Sequence, residues 1–269
     1  MGRVDELIAL RTKMGMNRKE FCEYFVIPYR TMVDWEAGKN TIPEYLLRLM
    51  IYKAYAEKMC DESRMLNRKL TDLEMANKKD HKVLITDEAI KKVPYIAYPE
   101  IDEAQYGIIQ VLARKTLEIS KERNNSAEIA LTYDLDNAGE LNEDAIGIAV
   151  GGEHEVDPLS DTQSYHIIMG GKSCTILTVH NHPSLQDFSL SDIYFLINYA
   201  NIKMMVVVTN QGKISYLVKG KKYNRKEAFE LFYEAMQIYS KARNLKGLMR
   251  ANNTFLHNCG NAGIIYGDR

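Results

Sequence analysis

Residues Ser173–Asp192 read SCTILTVHNHPSLQDFSLSD and contain, in order, the patterns of a strand, a turn and the start of a helix. The first part, Ser173–Val179, is short, apolar and rich in β-branched residues, as is typical of a buried strand. Pro183 favours a turn after this strand, and Ser191–Ala200 has the pattern of a helix. A buried strand followed by a helix indicates a domain of mixed α and β structure.

Alternating helix and strand patterns extend on both sides of this stretch and together cover residues 101–222. We therefore predict an α/β fold of the α+β type, in which a mixed, mostly antiparallel sheet is flanked by the helices 102–123 and 191–200. The other predicted elements are a helix at Asp161–Met169, strands at Glu128–Leu135 and Ala145–Val150, and a hairpin formed by Lys203–Thr209 and Lys213–Val218.

The rest of the chain forms three predicted segments. Residues 1–59 have apolar residues at helical spacing and should form a separate all-α domain. Residues 60–100 are polar, end in two prolines and should form a helical or linker segment. Residues 223–269 begin with a long amphipathic helix, Arg225–Ala242, and end in a tail after Asn244 that is rich in Asn and Gly and is expected to be loosely ordered.

The composition of the 269-residue chain is that of an ordinary globular protein. Its 35 Lys and Arg nearly balance its 36 Asp and Glu, which argues against a protein that coats nucleic acid or a membrane by bulk charge. No stretch approaches the roughly 18 uncharged apolar residues of a membrane span. The four cysteines are scattered without a CxxC pair, as expected for reduced thiols. We therefore expect a cytoplasmic protein without a membrane partner.

His180 and His182 stand at the end of the predicted strand, and Asp192 stands at the start of the next helix. Two histidines at i and i+2 can point to one site if the chain turns after them, and Pro183 encourages that turn. The carboxylate ten residues after His182 can then fold back to the same point. Two histidines, one aspartate and a water form the four-coordinate zinc site with one exchangeable position that catalysis uses. The pattern therefore predicts a catalytic Zn²⁺ site.

The HNHPS sequence at residues 180–184, followed by S-x-x-D from Ser189 to Asp192, resembles the JAMM/MPN+ family of zinc metalloproteases. It is most similar to the bacterial and phage branches of that family, including the one linked to DNA repair. The resemblance implies a core like that of JAMM proteins and cytidine deaminases. It also implies that His180, His182 and Asp192 bind Zn²⁺, and that Ser189 hydrogen-bonds the site and helps to stabilise the tetrahedral intermediate.

The same resemblance implies a glutamate general base at the start of an early strand after the first helix. Glu128 fits that place, and its rivals Glu140, Glu153 and Glu155 lie in predicted turns or at a later strand edge. Zinc lowers the pKa of its water to about 7 and polarises the scissile carbonyl, while the glutamate takes the water's proton and passes it to the leaving amine. The implied substrate is a protein or peptide, such as a repressor or a ubiquitin-like modifier.

Residues 1–59 have the order helix, short turn, second helix, with Asn17–Phe25 and Pro28–Ala37 as the pair. The segment LRTKMGMNRKEFCEYFVIPYRTMVDWEAGKNTIPEYLLRLM, residues 10–50, resembles the phage-repressor (XRE, Cro-like) helix-turn-helix family. The resemblance implies a core containing Trp35, Phe21 and Ile27. It also implies DNA-facing side chains at Tyr29, Arg30, Thr31 and Asp34, and phosphate contacts from Lys39 and Asn40.

Several alternatives remain open. Residues 1–59 hold 10 Lys and Arg against 8 Asp and Glu, and this small positive charge also suits a protein-interaction bundle that does not bind DNA. Together, the two resemblances predict that the whole chain is a zinc peptidase or isopeptidase with a DNA-binding module, expected to form a homodimer as repressor-type domains do. Alternatively it is a transcriptional regulator, or a DNA-repair or mobile-element accessory protein, whose metal domain is sensory or structural.

Overall fold

The computed structural model divides the chain into two compact units, residues 1–65 and residues 66–269. The predicted linker residues 60–81 lie outside the described part of the chain, as do Ser173, Glu140 and Ser184. The residues that the structure describes are 3–51, 53–54, 82–137, 141–171, 174–183 and 186–269.

The first unit consists of short helices around one apolar cluster. Its buried side chains include Leu7, Phe21, Met32 and Trp35. The second helix begins with a capping box, because Asn17 and Glu20 each accept a hydrogen bond from the other's backbone N–H. The helices are α1 (Arg3–Lys13), α2 (Arg18–Phe25), α3 (Tyr29–Glu36) and α4 (residues 44–51).

A six-stranded mixed sheet forms the centre of the second unit, with the strand order β2-β1-β3-β4-β5-β6. β3 and β4 are parallel, and the other neighbours are antiparallel. The mixed, mostly antiparallel sheet predicted from the sequence is therefore confirmed. The strands are β1 (Ile129–Asp134), β2 (Gly147–Val150), β3 (Ile176–His182), β4 (Ile202–Thr209), β5 (Ile214–Lys219) and β6 (Ile264–Asp268).

Helices cover both faces of this sheet, and the two faces have separate apolar cores. Leu177 and Val179 of β3 join the core that includes α5 and α6, whereas Ile176 joins the core that includes α8, α9 and α10. Because side chains alternate along a strand, His180 and His182 share the face that α8 covers. The helices of this unit are α5 (Asp87–Lys92), α6 (Tyr106–Arg123), α7 (Thr162–Gly170), α8 (Leu190–Asn198), α9 (Arg225–Lys241) and α10 (Leu245–Asn258).

The C-terminal residues differ from the expectation of a loosely ordered tail. They form α10 and β6, and β6 pairs antiparallel with β5 as the last strand of the sheet. The Asn and Gly residues have defined structural roles here. Asn244 caps α10 by accepting the N–H of Gly247, and Gly263 turns the chain at φ 70°, where a Cβ would lie 2.4 Å from the backbone of Lys222.

The described part of the predicted linker also belongs to the second unit. Ile85, Val93, Ile96 and Tyr98 are buried in the core that includes α6. Residues 82–100 therefore pack as part of this unit rather than connecting it to another. Among the described helices, none combines the length and the hydropathy that crossing a bilayer requires.

Candidate metal centre

The end of β3 and the start of α8 bring three side chains together. His180 and His182 are buried, with 4 % and 7 % of their surface exposed. The Nε2 atoms of the two histidines lie 3.1 Å apart, and Asp192 Oδ1 lies 3.2 Å from the Nε2 of His180. Asp192 Oδ2 lies 3.6 Å from the Nε2 of His182. The three side chains thus form one group of potential ligands, as the sequence pattern predicts.

This donor set fits a small divalent cation. Zinc bonds to His nitrogen and carboxylate oxygen are about 2.0–2.1 Å long, so neighbouring ligands in a tetrahedral site lie roughly 3.3 Å apart. The separations of 3.1 and 3.2 Å around His180 are close to that value. Two imidazoles with one carboxylate leave a fourth position for an exchangeable ligand, which is the arrangement of catalytic rather than structural zinc sites.

Asp192 is held in place by the local structure of the helix N-terminus. Ser189 is the N-cap of α8, and its hydroxyl and backbone N–H both donate to Asp192 Oδ2 at 2.7 Å. The backbone N–H of Asp192 in turn donates to the Ser189 hydroxyl at 3.2 Å, which completes a capping box. The S-x-x-D sequence therefore orients the carboxylate so that Oδ1 points to His180.

His182 is oriented by a second contact on its other ring nitrogen. Its Nδ1 lies 3.1 Å from the carbonyl oxygen of Gln186, which can only accept a hydrogen bond. A proton on Nδ1 leaves the lone pair of Nε2 available to a cation, and histidine ligands in metal sites commonly carry such an outer contact. Gln186 was not among the sequence-predicted site residues. The contact uses its backbone carbonyl, which every residue type has, so the sequence gives no signal for it.

Two carboxylates act on the charge of His182. Burial opposes that charge, but the hydrogen bond and charge of Asp192 and the charge of Glu128 outweigh it and raise the pKa of His182 to about 9. Burial raises the pKa of Asp192, but the charges and hydrogen bonds of His180 and His182 dominate and hold it well below its usual range. The site thus concentrates negative charge next to two imidazole nitrogens, as a cation site requires.

Glu128 lies directly before β1 and is buried, with 6 % of its surface exposed. The register between β1 and β3 pairs Ala130 with His180. Glu128 stands two residues before Ala130, and its charge acts on His182, so its carboxylate lies close to the ligand cluster. The structure therefore brings the predicted general base beside the predicted ligands.

The rival glutamates have other surroundings. Glu153 is exposed and forms a 2.9 Å ion pair with Lys82, and the same contact holds the pKa of Glu153 below its usual range. Glu155 is also exposed.

Two buried asparagines beside the site were missed by sequence reasoning. Asn181 and Asn210 are both fully buried and hydrogen-bonded to each other at 2.8 Å. Asn181 is the middle residue of His-Asn-His, but the position between two ligands carries no signal of its own in a single sequence.

The predicted DNA-facing residues lie at and after α3 in the first unit. Tyr29, Arg30, Lys39 and Asn40 are exposed, and Thr31 and Asp34 are half-buried. Asp34 is close to a cation, because its Oδ1 lies 3.8 Å from Lys39 Nζ. The predicted core residues Phe21 and Trp35 are buried, and Ile27 packs against their cluster.

Comparisons of the chain with protein-family models, with curated proteins and with solved structures found no match. The function therefore has to be inferred from the chemistry of the site and from the two sequence resemblances.

Proposed function

We propose that the second unit is a zinc-dependent peptidase or isopeptidase of the JAMM type. The observation that carries this proposal is the convergence of His180, His182 and Asp192, with the buried Glu128 close enough for its charge to act on His182. Two imidazoles, one carboxylate and a separate buried glutamate are the groups that metal-assisted hydrolysis of an amide needs. The JAMM resemblance of the HNHPS and S-x-x-D sequences supports the same reaction.

In this proposal each site residue has a distinct role in the hydrolysis. A bound zinc ion would polarise the scissile carbonyl and lower the pKa of water at the site to about 7. Glu128 takes a proton from that water and delivers it to the leaving amine. Ser189 holds Asp192 through its hydroxyl and its backbone N–H, so its main role in this proposal is to fix the ligand, with support of the tetrahedral intermediate as a further role.

The proposed substrate class is based on the reaction and on the predicted DNA-binding role of the first unit. The proposed bond is a peptide or isopeptide bond in a protein, such as a repressor or a conjugate of a ubiquitin-like modifier. The first unit would bind DNA through the exposed side chains of α3, acting as a dimer. The α2–turn–α3 order and the exposed Tyr29 and Arg30 support that assignment.

Cleavage assays with the full-length, zinc-loaded protein test the proposal. The substrates are a phage-type repressor and isopeptide-linked conjugates of a ubiquitin-like protein. Glu128→Gln should retain zinc and lower kcat by about 10²- to 10⁴-fold, the usual contribution of general-base catalysis. His182→Ala should lose both zinc and activity.

The matched control is Glu153→Gln, which removes an exposed carboxylate that pairs with Lys82. It should leave kcat unchanged. Equal activity of the wild type, Glu128→Gln and His182→Ala would rule out the mechanism.

A second candidate function is a DNA-binding regulator whose metal domain senses zinc. The feature that favours it is the helix order of the first unit with its exposed α3 side chains. It predicts that zinc changes DNA affinity equally in the wild type and in Glu128→Gln, and that neither protein cleaves the substrates named above. The peptidase proposal instead predicts cleavage that depends on Glu128. Titration of a labelled duplex with and without zinc, together with the cleavage assay on both proteins, separates the two functions.

A further inference from the structure

Asn181 separates the two histidines along β3, but its side chain lies on the other face of the sheet, toward α6. It is fully buried. Its Oδ1 accepts the backbone N–H of Ile129 at 2.8 Å. Its Nδ2 lies 2.8 Å from Asn210 Oδ1 and 3.2 Å from both Ser120 Oγ and the carbonyl oxygen of Ala127. Both polar atoms of this amide are therefore used within the protein.

Asn210 extends the network from the turn between β4 and β5. Its Nδ2 donates to the carbonyl oxygens of Ser126 at 2.9 Å and Val83 at 2.7 Å. Its backbone N–H donates to the carbonyl oxygen of His182 at 3.1 Å. A single asparagine thus bonds both the end of the strand that carries His182 and the turn that precedes Glu128.

The turn before Glu128 has an unfavourable backbone conformation. Asn125 and Ser126 have φ angles of 47° and 60°, in the left-handed region that residues other than glycine rarely adopt. Such conformations persist where surrounding contacts hold them. Here the Ser126 carbonyl accepts from Asn210, and the Ser126 N–H donates to Ser120 O at 2.9 Å.

Glu128 is therefore held from two sides. On the β2 side, its N–H donates to Gly152 O at 2.8 Å and its carbonyl accepts from the N–H of Gly151 at 2.9 Å. On the β3 side, the neighbouring Ile129 N–H bonds to the Asn181 side chain instead of a backbone carbonyl. The spacing of the two strands at Glu128 thus depends on one side-chain amide.

We propose that Asn181, supported by Asn210, is a positioning residue that fixes the position of the Glu128 carboxylate relative to the three ligands His180, His182 and Asp192. The inference rests on the proposed function of Glu128 and the three ligands. Asn181 acts from the opposite face of the sheet and touches none of the reacting groups. Its effect passes through the backbone at Ile129 and through the turn at Ser126.

The test uses the full-length protein loaded with Co²⁺, whose visible absorption is recorded against pH. The midpoint of that titration reports a protonation equilibrium next to the ion. Glu128→Gln should shift it by about one pH unit, since a neighbouring charge moves a pKa by roughly one to three units. Asn181→Leu should shift this midpoint in the same direction, by at least about half as much. The midpoint of the double variant should equal that of Glu128→Gln alone, because both changes act through the same carboxylate.

The affinity for Co²⁺ separates a positioning role from simple damage to the site. Asn181→Leu should leave the Kd for Co²⁺ within about threefold of the wild type, since changes to direct supports of a ligand typically cost 10- to 100-fold. The matched control is Thr178→Val on the same strand. Thr178 is buried, and its hydroxyl has no hydrogen-bond partner among the described residues, so neither the midpoint nor the Kd should change.

The outcomes distinguish this inference from the proposed function. If the wild type binds no Co²⁺, the metal function is wrong and the role of Asn181 falls with it. If Co²⁺ binds but the Asn181→Leu shift is absent, or adds fully to that of Glu128→Gln, the positioning role alone is wrong. Should Asn181→Leu fail to fold, Asn210→Ser is judged by the same criteria, because it releases the Ser126 carbonyl and keeps the backbone bond to His182.

Discussion

The hydroxyl of Tyr266, in the last strand of the sheet, donates a hydrogen bond to the carboxylate of Asp187, in the loop between the histidines and Asp192. Asp187 also accepts the N–H of Phe188 at 2.8 Å, and Phe188 is fully buried in the core beside α8. The C-terminal strand thus helps to fix the loop that brings Asp192 back to the histidines.

Tyr266→Phe should weaken zinc binding by about tenfold, the lower end of the range for outer contacts of metal ligands. The ring and its packing remain, so only the bond to Asp187 is lost. Competition with a chromophoric chelator measures the affinity. Tyr233→Phe, on an exposed part of α9, is the control. Unchanged affinity in Tyr266→Phe would show that the loop holds its shape without β6.

Zinc should stabilise the second unit, and the stabilisation should depend on the ligands but not on the general base. A free zinc concentration of about 1,000 times the Kd corresponds to roughly 4 kcal/mol of added folding stability. Glu128→Gln should keep the zinc-induced rise in Tm, whereas His180→Ala should lose it. Differential scanning calorimetry with zinc and with a chelator measures both. An equal rise in His180→Ala would place the bound zinc elsewhere.

Zinc binding should release a proton at neutral pH. The pKa of His182 in the metal-free protein is raised to about 9, so the imidazole carries a proton that zinc must displace. Zinc affinity should therefore increase about tenfold per pH unit as the pH rises toward 9. Without zinc, the raised pKa means that protonation of His182 stabilises the fold below about pH 6.5, and that this contribution is lost as the pH rises through about 9.

Calorimetric titration with zinc at pH 7, in two buffers of different ionisation enthalpy, counts the released protons. Release close to zero would contradict the presence of a proton on His182 in the metal-free protein.

Val26 should reduce the stability of the first unit. It connects α2 and α3 at φ 54° and ψ 48°, and 87 % of its surface is exposed. A left-handed backbone costs about 1–2 kcal/mol for residues other than glycine, and asparagine tolerates it better. Val26→Asn should therefore increase the free energy of unfolding by about 1 kcal/mol.

Fluorescence of Trp35 reports this transition, since it is the one tryptophan of the chain and is buried in the first unit. Val26→Ala, which keeps a Cβ but removes the branching, is the control and should gain less. A lower unfolding midpoint for Val26→Asn than for the wild type would show that the valine side chain makes a net stabilising contribution.

Lys39 should contribute to DNA binding through phosphate contact alone. Lys39→Ala should weaken binding to a mixed-sequence duplex and lower the slope of log affinity against log salt by about one. Fluorescence anisotropy across a salt series measures that slope. Lys241→Ala removes the same charge at an exposed position of the second unit and should leave the slope unchanged. Equal slopes for the wild type and Lys39→Ala would show that Lys39 does not contact a DNA phosphate.

The elements that depend on local interactions were predictable. The β-branched run before His180 predicted a strand, and the pattern of Ser191–Ala200 predicted a helix, which begins at Leu190 in the structure, because strand and helix preferences act within a few residues. The six-stranded sheet also has the predicted mixed character. The C-terminal residues were not predictable in this way. Asn244 and Gly263 resemble loop residues in sequence, and only the packing of α10 and the pairing of β6 with β5 show them to be a cap and a turn.

The sequence by itself determined the three candidate ligands, since His180 and His182 end one strand and Asp192 lies in the first turn of the next helix. Only the tertiary structure shows which glutamate lies near them and which contacts hold its backbone. Glu128 lies more than fifty residues before His182, and the antiparallel register of β1 against β3 brings the two segments together. That register depends on hydrogen bonds between distant segments, such as the Asn181 contact to Ile129, whose energies leave no pattern in the local sequence.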